Sequence, residues 1–223
     1  MLRNIFTRKK LMRLFFLGIA TVAYYALFAV LEDRKVPTHT IHTRIDDMIP
    51  FCQYFIIPYF MWFAYVVGTI VYFGAIKDND YEFKKLFSSM VIGIASFLII
   101  CMVYPNGLHL RPKIMGDDIC SQLVLGLYRT DTPTNVLPSL HVYNSIVCLV
   151  AIFKSEYMKN RRFVKISALV LSISIILSTM FLKQHSIIDV TSALLLNCVV
   201  YHMVYGKKMT YLEKYESVTK YFK

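Results

Sequence analysis

Six uncharged apolar stretches, each close to the length of a bilayer crossing, leave this chain few ways to fold. They cover residues 14–31, 54–76, 86–104, 137–153, 166–182 and 186–206. A hydrocarbon core about 30 Å thick takes roughly 20 helical residues. Backbone groups in lipid must bond to one another, which a helix achieves within itself. Asp189 is the one formal charge in all six stretches. Composition agrees: 57% of the residues are hydrophobic and 17% charged, against about 45–50% and about 25% in soluble domains. A soluble fold of 223 residues has no core large enough to hide that excess. The chain therefore reads as all-α, a polytopic membrane protein with six transmembrane helices forming a single membrane domain over residues 1–223. Neither an internal repeat nor a low-complexity tract interrupts it.

The loop charges predict an orientation. With six spans, both termini share a side with the second and fourth loops. That side holds 18 of the 25 Lys and Arg and six of the 14 acids, a formal +12; the other side carries −1. Cytoplasmic loops collect Lys and Arg, so the termini are predicted to be cytoplasmic. The same bias accounts for the net +11, and no nucleic-acid partner is implied. The first span follows a basic start and lacks a small-residue cleavage site, which reads as a retained anchor. The lack of a long soluble domain or organelle signal fits a bacterial cell membrane. Cys52, Cys101, Cys120, Cys148 and Cys198 are odd in number and form no C-x-x-C pair, so they read as small hydrophobes. The tail from Met209 is either a short interfacial helix or a frayed basic end. Segment 116–131 is either a lid helix or a surface helix.

Polar residues at membrane depth mark functional sites by default, and here they gather at one end of the spans. Arg111-Pro112 follows the third span, Pro138-Ser139-Leu140-His141 opens the fourth, Lys183-Gln184-His185 closes the fifth, and Asp189 lies one turn into the sixth. All fall on the predicted outer face. His185 and Asp189 are four apart, which on a helix puts them on one face within hydrogen-bond reach. A carboxylate bonded to one imidazole nitrogen leaves the other basic and nucleophilic. His141 would act across the site as general acid. Arg111, Lys183 and Ser139 are the candidate phosphate ligands, with the amides opening the fourth helix. Together these groups describe phosphoryl transfer through a phosphohistidine. The plainer alternative for Asp189 is a structural pair with Lys183. His39, His42 and His202 lack such neighbours and are assigned no role; His109, two residues from Arg111, is left open.

At these residues the chain resembles the type 2 phosphatidic acid phosphatase superfamily, which includes lipid phosphate phosphatases and vanadium haloperoxidases. The family's motifs run Lys-x6-Arg-Pro, Pro-Ser-Gly-His and Ser-Arg-x5-His-x3-Asp. Here they correspond to Arg111-Pro112, Pro138 to His141, and Ser178-Thr179 with His185 and Asp189. The resemblance covers most of the chain after residue 50. It implies the family's helical bundle, with His185 as nucleophile, Asp189 as its orienting partner and His141 as acid for the leaving group. It also implies Arg111 and Ser139 as phosphate ligands, and catalysis without a metal or other cofactor. Tyr104 and Thr179 stand where the family has Lys and Arg, and Lys183, one turn further on, is the candidate replacement. Leu140 replaces the second motif's Gly, a form that resembles inositol phosphorylceramide synthase and its bacterial relatives.

Three functions follow as expectations. The first is a membrane phosphatase acting on a lipid phosphate or diphosphate at the outer face. The second passes the phosphoryl group to an alcohol instead of water. The third is a non-enzymatic anion-binding membrane protein. The sequence carries no headgroup code and no sign of oligomeric state.

Overall fold

The computed structural model describes residues 7–36, 38–113 and 116–206. The tail beyond 206 lies outside the described residues, and so does the question of an interfacial helix there. Among the described residues there are eight α-helices: α1 (Arg8–Glu32), α2 (Arg44–Met48), α3 (Ile56–Val71), α4 (Asp80–Val103), α5 (Ile119–Thr130), α6 (Leu140–Lys154), α7 (Arg162–Phe181) and α8 (Ile187–Tyr205). Two-residue strands β1 (His39–Thr40) and β2 (Asn106–Gly107) pair in parallel above the bundle.

Among the described residues, five helical stretches are long and apolar enough to cross a membrane: α1, α3 with its flanking turns (Gln53–Ile76), α4, α7 and α8. They overlay five of the six predicted spans. The fourth predicted span, 137–153, is a shorter helix. Pro138 and the Ser139 cap delay its start to Leu140, and 15 residues remain, roughly 22 Å at 1.5 Å per residue. This helix is also the best enclosed. It packs against α3, α4, α7 and α8, and Val142, Tyr143, Val147 and Cys148 are buried in the main core. Where it crosses α4, a Cβ on Gly93 would come within 1.9 Å of the Tyr143 ring. The absence of a side chain there lets the Tyr143 hydroxyl reach the Ser89 carbonyl at 2.7 Å.

Helix α1 is peripheral. Large apolar side chains such as Phe15, Val22 and Val30 stay exposed on it, as suits a lipid-facing helix. Its inner stripe, Tyr24, Phe28 and Leu31, packs on Phe97, Leu98 and Cys101 of α4. Its first turns are fixed by Arg13, which donates to the Gly74 and Lys77 carbonyls and pairs with Asp78 and Asp80. Gly74 belongs to one π-helical turn, Tyr72–Ile76, that follows α3, and Lys77 caps that turn. At the opposite end of α1, Glu32 accepts hydrogen bonds from Thr132, Thr134 and Asn135.

The two ends of the bundle differ in chemistry. One carries Lys77, Lys85 and Lys154 over the rings of Tyr157, Tyr205 and Tyr201. The other carries β1, β2, α2 and α5, and every residue proposed above for catalysis.

Candidate active site

Two short sequences build the site. In the first, Asn106 is buried and its side-chain oxygen accepts from the Val136 and Leu137 amides at 2.8 and 3.0 Å. This fixes the approach to α6. Ser139 then caps the helix, its hydroxyl accepting from the Val142 amide at 3.4 Å, which satisfies one of the orphan donors of the first turn. His141 follows as the second residue of the helix, its ring centroid 4.6 and 4.4 Å from those of Tyr59 and Trp62.

The second sequence is the turn between α7 and α8. Lys183 adopts a left-handed backbone, φ 54°, and the Gln184 and His185 amides both donate to the Thr179 carbonyl. Ser186 caps α8 in a reciprocal box: its backbone N–H donates to Asp189 Oδ2 at 2.8 Å. His185 thus precedes the helix instead of riding on it. The expected spacing on one helical face gives way to a capping arrangement, because Ser-Ile-Ile-Asp is a stronger start signal than His is. The pair is nevertheless close: His185 Nδ1 stands 3.4 Å from Asp189 Oδ2. That is within ion-pair reach but does not form an aligned hydrogen bond, since Nδ1 has no such partner. Asp189 is fully buried, and its backbone carbonyl receives the Ser139 amide at 3.2 Å, joining the two motifs directly.

The result is that the imidazoles of His141 and His185 face one another, ring centroids 5.7 Å apart. Both line a cavity of about 320 Å³. One of its walls is aromatic, with Tyr24, Phe28, Trp62 and Phe97; the other is polar, with Asp131, Thr132, Asn135 and Gln184. Among the described residues, buried polar atoms of the lining without a partner include Trp62 Nε1, Asn144 Oδ1 and Gln184 Nε2.

The proposed cations lie elsewhere. Lys183 is buried and donates to the Asp46 carbonyl at 2.6 Å and to that of Ile49. It does not line the cavity, nor does it pair with Asp189. Its ammonium therefore does not replace the charge missing at Thr179 or Tyr104; Tyr104 itself stacks on His39. Arg111 stands behind the polar wall, donating to Gln184 Oε1 at 2.7 Å and to the Tyr128 carbonyl at 3.2 Å while covering the Tyr128 ring. It acts on the cavity through Gln184. Burial lowers its pKa, partly offset by Asp131 and the tyrosines Tyr128 and Tyr59. Ser139 is fully buried as a cap, and His109 is exposed. Segment 116–131 contains α5, which packs Val124 into a small core with Ile56, Tyr59 and Leu182, a docked helix beside the site.

Two carboxylates escaped the sequence reading. Asp46 is buried at the start of α8, accepting from Thr43, from the Ser186 hydroxyl at 2.7 Å and from the Ile187 amide at 2.8 Å. Burial acts to raise its pKa, but these donors together hold it below the ordinary carboxylate value. Asp131, in the cavity wall, is pushed the other way. Burial raises its pKa, opposed by His185 and Arg111 and reinforced by Glu32. Among the described residues no group of three or more His, Cys, Asp or Glu is arranged to hold a metal ion.

Comparison of the chain with protein-family models, with curated proteins and with solved structures gave no match.

Proposed function

We propose that this protein is a membrane lipid phosphatase of the phosphohistidine type, hydrolysing a lipid phosphate or diphosphate at the extracytoplasmic face, with a six-span bundle like that of the type 2 phosphatidic acid phosphatases. The observation that carries the reading is the pair of imidazoles 5.7 Å apart across one cavity, with a buried carboxylate behind one ring. At that separation both rings reach a single phosphoryl group. His185 has Nδ1 toward Asp189, so Nε2 attacks phosphorus. The bond from phosphorus to the lipid oxygen breaks, and His141 delivers a proton to that oxygen. His141, now neutral, takes a proton from water as the water oxygen displaces His185 and releases phosphate. Asp189 orients the ring and stabilises its positive charge, as a carboxylate does in other relay sites.

The cavity's two walls suit a lipid. Aromatic side chains accept the chain-bearing part, while Trp62 Nε1 and Gln184 Nε2, buried without partners, offer neutral donors to phosphate oxygens. A second reading, transfer of the phosphoryl group to an alcohol, is favoured by the Thr, Asn and Asp side chains of the polar wall. The test is phosphate release by purified protein from a panel of lipid phosphates and diphosphates, with vanadate as inhibitor. Vanadate adopts the five-coordinate geometry of the transferring group and should inhibit. Release that vanadate does not affect, or an inert protein that also ignores vanadate, would count against both readings.

A further inference from the structure

An acidic side chain is an unexpected lining for a phosphate site. Asp131 ends α5, its amide donating to the Leu127 carbonyl at 2.9 Å, and it lines the same cavity as both catalytic imidazoles. Among the described residues it forms no salt bridge. It is within electrostatic range of His185, Arg111 and the Glu32 carboxylate, and Tyr59 donates to it. No Lys or Arg lines the cavity. Like charges held close together in a poorly solvated cavity repel each other far more strongly than in water. A phosphoryl group held against Asp131 would therefore be penalised. Neutral hydroxyls are the natural partners of this wall: Thr130, Thr132, Thr134 and Asn135 flank the carboxylate, and Gln184 adds a buried amide nitrogen without a partner.

We propose that Asp131 is the binding residue for a polyhydroxy alcohol, which occupies the polar wall and accepts the phosphoryl group from His185. This rests on the phosphohistidine reading in its second form, transfer to an alcohol, and specifies the acceptor. In the transfer step the alcohol oxygen forms a bond to phosphorus, the bond between phosphorus and His185 breaks, and the hydroxyl proton passes to neutral His141. Asp131 accepts a hydrogen bond from a neighbouring hydroxyl and so selects alcohol over water.

Trp62 is the chain's single tryptophan and lies 4.4 Å from the His141 ring, so its fluorescence reports occupancy of this cavity. Purified wild type and Asp131→Asn would be titrated separately with inositol, with glycerol and with vanadate. The expected result is that wild type binds at least one polyol and that Asp131→Asn weakens this binding about tenfold or more, as loss of a charge-assisted hydrogen bond does. Vanadate affinity should be unchanged or tighter, which also shows the variant to be folded. Polyol binding absent in wild type, or unchanged in Asp131→Asn, would overturn the proposal. So would an equal loss of vanadate affinity, because Asp131 would then serve the phosphoryl group. Wild type that binds polyol but not vanadate would count against the phosphohistidine reading while leaving the polyol site standing.

Discussion

Lys183 and Asp189 show how an isolated charge acquires its role from what it touches. The fully buried Asp189 carboxylate accepts from the Ser186 amide and comes close to the His185 ring, so its desolvation is offset by a backbone donor and by the imidazole beside it. Lys183 spends its ammonium on the carbonyls of Asp46 and Ile49, tying the turn before α8 to the loop around α2. Lys183→Met should therefore lower stability by about 3 kcal/mol, the cost of leaving buried carbonyls unpaired. Thermal unfolding in detergent measures this. A variant of unchanged stability whose sole defect is a raised KM would instead make Lys183 a substrate ligand. The histidines and Asp189 were legible in the sequence because their motifs are local. Lys183, Asp46 and Asp131 were not, because their partners lie far away in the chain: 137 residues separate Lys183 from Asp46.

Helix α8 carries the next scale. Its first turn holds two carboxylates, Asp189 from within and Asp46 from α2, where amide donors and the helix dipole favour negative charge. Asp46→Asn places an amide nitrogen against the Ile187 amide or the Ser186 hydroxyl and should cost about 2–4 kcal/mol. Because the Asp46 pKa is depressed in the fold, its stabilisation is present above the ordinary carboxylate pKa and lost as pH falls through the lower folded value. The stability gap between wild type and Asp46→Asn should be full near neutral pH and close below about pH 3–4. A gap independent of pH would separate Asp46 from that role. Apolar periodicity and length located five long helices well. The fourth was overextended, because hydropathy runs through Leu137 and Pro138 while the Ser139 cap decides where the helix begins.

At the scale of the molecule, the segregation of charge and chemistry to opposite ends of the bundle is what makes a site at one membrane face possible. Lysines and their tyrosine partners gather at one end, and the two histidines with their buried carboxylates at the other. Cysteine introduced at exposed His109 in a cysteine-free variant should be labelled from outside intact cells by an impermeant maleimide, and cysteine at Lys159 should react after lysis alone. The reverse pattern would invert the orientation and place the site in the cytoplasm. Loop charge in the sequence distinguishes the two ends of the bundle and predicts their orientation, whereas the cavity's aromatic and polar walls emerge only when α1, α3, α4 and α5 are assembled around α6.

The proposed chemistry rests on covalent attack by His185, and rapid quenching with a lipid phosphate labelled in its phosphoryl group examines that step directly. Wild type should yield an acid-labile, alkali-stable phosphoenzyme with the label on His185, accumulating when His141→Gln slows its breakdown by about a hundredfold or more. His185→Ala should give neither label nor turnover while remaining folded. Full turnover by His185→Ala, or label on another side chain, would contradict the mechanism.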